Sequence, residues 1–218
     1  TVMASVLSTY AAFVLNFPVP CQEEGHGFRD YVALERESLE SSGDRQYWQS
    51  LLSGAPFARL PRWPADRASC PPRHIRYNVG IPGDISERLR ELAYTRKVPL
   101  KSVLLAAHIV VVGLLTGETD VVTGIMSNGR PETRDGRHSV GLFLNAIPLR
   151  LSVIGDSIGE FVERVFAVEM DVYPHRRYPM AQIVRDSNRP IFEALFNYVH
   201  FHPYQTVRES GINVSDIQ

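Results

Sequence analysis

The sequence predicts an α/β protein in which helices flank a mixed sheet. Two kinds of periodicity alternate along its second half, apolar residues every three or four positions and then every two. Some of these segments are apolar nearly throughout, as elements covered on every side must be. A proline-rich stretch, "APFARLPRWPADRASCPPR" (55–73), separates this alternating part from a helical beginning.

Val2, Val6, Leu7, Tyr10 and Phe13 fall at helical spacing, and Pro18 and Pro20 stop that helix. "GFRDYVALERESLES" (27–41) and "DRQYWQSLLSG" (44–54) predict two more helices, with Asp44 as the cap of the second and Gly54 as its stop. After the connector, "HIRYNVGIP" (74–82) has strand periodicity, and "GDISERLRELAYTRK" (83–97) has helical periodicity with Asp84 at its start. Pro99 opens a buried helix to Leu115. "DVVTGIMSN" (120–128) and "FLNAIPLRLSV" (143–153) read as strands. "SIGEFVERVFAVEMDVY" (157–173) reads as a helix turning Ile158, Phe161, Val165 and Val168 inward. A short helix "MAQIVRDS" (180–187) and a strand "FEALFNYVHFH" (192–202) complete the pattern.

Composition narrows the partners. With 23 Lys and Arg against 24 Asp and Glu, and no stretch that concentrates positive charge, the chain lacks the signature of a nucleic-acid surface. The longest apolar run, "VLLAAHIVVVGLL" (103–115), is shorter than the ~20 residues of a membrane span. Two cysteines, Cys21 and Cys70, are too few for a disulfide framework or a zinc site, which suits a reducing cytoplasm. The His200-x-His202 pair has no third ligand in view, so no metal is expected.

Six stretches in order carry a resemblance: "YWQSLLSGAP" (47–56), "LPRWPADR" (60–67), "ETDVVTGIMSNGRPE" (118–132), "VGLFLNAIPLRL" (140–151), "HRRYPMAQIVRD" (175–186) and "RPIFEALFNYVHFH" (189–202). Together the chain resembles the condensation domains of nonribosomal peptide synthetases. The resemblance implies a chloramphenicol acetyltransferase-like fold, two lobes with a tunnel between them. It assigns this chain a two-layer lobe with a mixed sheet and flanking helices. Residues 1–73 would be a helical segment and connector leading out of an N-terminal lobe, and residues 74–218 a C-terminal lobe, incomplete at its end. The family signature HHxxxDG does not occur in the sequence, so the resemblance places the catalytic histidine outside this chain.

The implied reaction joins an acyl or peptidyl donor to an aminoacyl acceptor, both held as thioesters on carrier-protein phosphopantetheine, with no directly bound cofactor. The expected partners are the donor and acceptor carrier proteins and the other lobe, with neither nucleic acid nor membrane. Arg150, which ends "NAIPLR", is expected to pair with the aspartate of the absent signature, and Arg130 is its rival. Ser127, Asn128, Gly129 and Arg130 resemble the loop that floors the tunnel, though Asn-Gly is equally an ordinary turn. Asn197, an amide in an apolar strand, is a candidate for oxyanion support, and so is Asn145; each alternatively makes a structural hydrogen bond. "HRRY" (175–178) offers either a solvated face or a docking patch for acidic groups. The competing functions are a free acyltransferase of the same superfamily and a non-catalytic docking domain.

Overall fold

The computed structural model describes residues 28–62, 74–133, 139–155 and 157–199, with a few positions before residue 28. The elements are α1 (Phe28–Glu40), α2 (Ser42–Leu52), α3 (Gly83–Arg96), α4 (Leu100–Thr116), β1 (Asp120–Asn128), β2 (Leu144–Ser152), α5 (Ile158–Val172), a 3-10 turn (Tyr173–His175), α6 (Met180–Ser187) and β3 (Leu195–Phe196). Their ends follow local chemistry. Ser157 and Glu160 close a capping box at the start of α5, satisfying N–H groups that have no partner within the helix. Gly117 ends α4 in the left-handed region at φ 73, where its N–H reaches the Gly113 carbonyl.

The sheet runs β2-β1-β3. β1 is antiparallel to β2 from Asp120↔Ser152 to Asn128↔Leu144, and parallel to β3 through Gly124↔Leu195. The sheet is therefore mixed. Residues 121–125 of β1 are buried one after another, so both faces of this central strand are covered. α4 lies over the face that carries Val121: a Cβ added to Gly113 would sit 3.2 Å from a Val121 methyl. Arg150, in register with Val122, points the other way and reaches the end of α2. Leu105 and Ile109 of α4, Ile147 and Leu149 of β2, and Val162 and Val165 of α5 share one core with Trp48 and Leu52 of α2. The helical beginning thus packs on the sheet that follows the connector.

Several elements differ from expectation. Residues 74–82 make no strand; Tyr77 and Val79 are 82% and 85% exposed, and no described residues pair with the segment. Alternation supplies a suitable face, but a strand needs a neighbour to accept its hydrogen bonds. Within the described part of the predicted 192–202 strand, Leu195–Phe196 form β3, and His200, Phe201 and His202 lie outside the described residues. Ser41, not Asp44, caps α2, and Asp44 sits three residues in, donating its N–H to the Ser41 hydroxyl at 3.1 Å. Ile158, in the first turn of α5, is 76% exposed. Much of the connector also lies outside the described residues. No single described helix is long and apolar enough to cross a membrane.

Candidate functional site

A cavity of ≈ 500 Å³ opens at the C-terminal end of β1. Strand ends are where α/β sheets place ligands, because the loops leaving them are free to diverge. Its lining joins Ser127 and Asn128 at the end of β1, and Arg130 and Glu132 beyond it, to Lys101 and Ser102 at the start of α4, and Phe166, Glu169 and Met170 on α5. Tyr173 and Tyr198 complete the rim.

Three of the expected residues, Ser127, Asn128 and Arg130, line the cavity, and a fourth, Gly129, lies in the chain between them. Ser127 and Asn128 end β1, and Asn128 Oδ1 accepts the Arg130 N–H at 3.1 Å. That closes the turn and leaves the Asn128 amide hydrogens for another acceptor. Gly129 donates its N–H to the Phe143 carbonyl at 2.7 Å, and a Cβ there would lie 2.8 Å from the Tyr31 ring. Any larger residue would force the buried Tyr31 ring to shift. Arg130 places its guanidinium over the Phe143 ring at 4.1 Å and donates to the Ser139 carbonyl at 2.5 Å. Desolvation lowers its pKa from the ordinary arginine value. Phe143 is buried against Phe28 and Tyr31.

The other three lie elsewhere. Arg150 grips Asp120 with Nε at 3.0 Å and Nη2 at 2.7 Å, and gives Nη1 to the carbonyls of Leu51 and Ser53 at 2.9 Å each. Arg150, in register with Val122, lies toward the opposite end of β1 from Ser127, five residues or roughly 17 Å away at about 3.3 Å per residue, and it does not line the cavity. Its partner is thus within the chain, since β1 and β2 bring Asp120 alongside it. Asn145 spends both Nδ2 hydrogens on the carbonyls of Arg176 and Tyr178, at 2.9 Å each, and its Oδ1 accepts the Met180 N–H. It has no donor left for a substrate. Asn197 is exposed rather than buried, and alternation gives the neighbouring Tyr198, not Asn197, to the cavity.

Sequence reasoning missed a polar cluster in the cavity wall. The buried Glu169 accepts from the Ser102 hydroxyl at 2.5 Å and pairs with Lys101 at 2.6 Å. The signal was present, for Glu169 falls on the inward stripe of Phe161, Val165 and Val172, where an apolar residue is the norm. Glu132 was also overlooked. Burial opposes its ionisation, but hydrogen bonding from Arg177 and the charges of Arg176 and Arg177 outweigh that and hold its pKa below the usual carboxylate range. The "HRRY" motif is not simply a solvated face, since Arg176 and Tyr178 are buried and His175 and Arg177 half-buried. Among the described residues no group of three or more His, Cys, Asp or Glu could hold a metal ion.

Comparison with known proteins places this arrangement. The condensation-domain family model matches residues 1–215. The chain is 40% identical over 190 residues to AMB antimetabolite synthetase AmbE of Pseudomonas aeruginosa, covering 85% of this chain and 9% of that protein. To malpinin synthetase of Mortierella alpina it is 27% identical over 180 residues, covering 80% of this chain and 2% of that protein. Its fold matches the first condensation domain of the CDA synthetase at a TM-score of 0.75 and 23% identity, covering 92% of this chain and 45% of that one. It also matches the X-domain from teicoplanin biosynthesis at 0.64 and 19%, covering 88% and 46%. The chain thus spans less than a tenth of these curated relatives and under half of these solved chains. On the match across 1–215 and the likeness to AmbE, the chain belongs to the condensation-domain family of nonribosomal peptide synthetases.

Proposed function

We propose that this chain supplies the floor and one wall of a tunnel in which two carrier-bound thioesters are joined. The amine of an aminoacyl acceptor attacks the thioester carbonyl of an acyl or peptidyl donor. A C–N bond forms, the C–S bond breaks, and the phosphopantetheine thiolate leaves and gains a proton. The observation that carries this reading is the cavity at the end of β1, bordered by the 127–132 loop.

Ser127 and the free hydrogens of the Asn128 amide are suited to orient the donor carbonyl and support its oxyanion. Arg130 takes the role first expected of Arg150. It borders the cavity and is partly desolvated, so an aspartate brought by a facing loop would find a cation there. Proton transfer from the amine needs a base, and the HHxxxDG histidine that would serve is not encoded in these 218 residues. The carrier proteins are the partners in this reading, with the reaction in the cytoplasm.

The test is amide formation by the synthetase that contains this chain, followed by mass spectrometry of carrier-bound donor and acceptor. Amide product from the wild type, reduced by Arg130→Ala and Asn128→Ala, is expected; the 218-residue chain alone should stay at background. Ester formation on a small free acceptor would indicate the acyltransferase reading. Carrier binding with no product would indicate a docking domain.

A further inference from the structure

The "HRRY" turn joins α5 to α6, and each of its four side chains is engaged. His175 Nδ1 lies 2.5 Å from Asp44, and its ring stacks on Tyr47 at 3.9 Å. Tyr178 donates to Asp186 at 2.6 Å. Between them, two consecutive arginines turn toward the cavity loop. Arg176 Nε donates to the Asn128 carbonyl at 3.2 Å and Arg177 Nε to the Gly129 carbonyl at 3.1 Å. Arg177 Nη2 reaches the Arg130 carbonyl at 3.5 Å. Both guanidiniums then close on one carboxylate: Arg176 Nη2 pairs with Glu132 Oε1, and Arg177 Nη2 lies 2.7 Å from Oε2.

Successive carbonyls and the carboxylate beyond them are thus read by successive guanidiniums. A packing accident would not require such a pattern. The turn is itself held from behind, where Asn145 of β2 takes the carbonyls of Arg176 and Tyr178. A chain of contacts runs from β2 through Asn145 to the turn, and through the two arginines to the 127–132 loop. Lysine could not substitute, because one ammonium cannot present a planar fork to a backbone carbonyl and a carboxylate together.

We infer that Arg176 and Arg177 are positioning residues that fix the 127–132 loop through its carbonyls and Glu132, and so set where Ser127 and Asn128 meet a substrate. Neither lines the cavity. The kinetic part of this inference rests on the acyl-transfer reading, whereas the conformational part does not.

Two measurements test it. Hydrogen–deuterium exchange of the 218-residue chain, comparing wild type with Arg177→Ala, Arg177→Lys and Glu132→Gln, reports on the loop directly. Arg177 and Glu132 are more exposed than Arg176, so these variants are expected to fold, and circular dichroism checks that they do. Exchange should rise about tenfold or more at the amides of Asn128, Gly129, Arg130 and Glu132 while the α4 and α5 amides keep their protection, and Arg177→Lys should resemble Arg177→Ala. The same substitutions in the whole synthetase should lower kcat on the order of 10- to 100-fold with KM for the carrier-bound substrates little changed.

Unaltered loop exchange in folded Arg177→Ala would overturn the inference. Faster loop exchange with unchanged kcat would also overturn it, by showing that the loop's position does not matter to the reaction. If the wild-type synthetase makes no amide, the acyl-transfer reading fails instead, and the exchange result alone decides whether the arginines hold the loop.

Discussion

Arg150 and Asp120 pair across neighbouring strands, guanidinium to carboxylate, at the end of the sheet farthest from the cavity. The same guanidinium takes the carbonyls of Leu51 and Ser53, which the end of α2 leaves without helical partners. It therefore fastens three elements at once.

Arg150→Ala should lower the unfolding free energy of the chain by roughly 1–3 kcal/mol, a range discounted because both side chains are partly exposed. Arg150→Lys should recover only part of that. Urea unfolding measures both. Amide formation by the intact synthetase should fall no further than the loss of folded protein explains; a larger loss would return Arg150 to the reaction.

Gly124 faces Phe192 so closely that an added Cβ would overlap the ring, with Leu195 only 2.8 Å away. Gly124→Ala should destabilise by roughly 1–3 kcal/mol through overpacking. Phe192→Leu should be less harmful beside Gly124→Ala than alone. A double-mutant cycle by thermal unfolding reads that coupling, and simple additivity would show that the contact is not the cause.

His108 Nε2 lies 2.8 Å from the Thr123 hydroxyl, which itself donates to the Ala194 carbonyl. Desolvation lowers the pKa of His108, so the folded state favours the neutral ring. The unfolded chain then binds a proton more readily, and stability should decline as pH falls below about 6.5 until the folded value is passed. Above that range His108 contributes no pH dependence. His108→Gln should flatten this part of the profile in denaturant titrations from pH 8 to 5; an unchanged slope would assign it to other groups.

Ile75, Tyr77, Val79 and Ile81 all stand exposed at alternate positions of one segment, and Leu114 of α4 is 78% exposed. Exposed apolar alternation of this kind invites pairing between chains. Sedimentation velocity over a tenfold concentration range should show a weight-average mass rising above 24.5 kDa. Tyr77→Lys with Val79→Lys should reduce that rise, and a concentration-independent monomer would refute the expectation.

The sequence by itself determined the helices, the two long strands and the family. α4, β1 and β2 follow their nearly continuous apolar runs and most of α5 its helical stripe, because burial of one stripe or both faces is written in residue spacing. The segment 74–82 shows the limit, since alternation describes a face and not the neighbour that a strand must bond. The site divided along the same line. The Asn128-Gly129 turn was legible because its chemistry is local, and Ser127, Asn128 and Arg130 border the cavity. The assignments of Arg150, Asn145 and Asn197 depended on what lay opposite them. Only the tertiary structure decided that Arg150 meets Asp120 thirty residues earlier, and that Asn145 serves the 176–180 backbone. It alone decided that two arginines of a basic knot share Glu132. Polar side chains take their roles from partners that strand pairing brings within about 3 Å, and no local pattern encodes which partners those are.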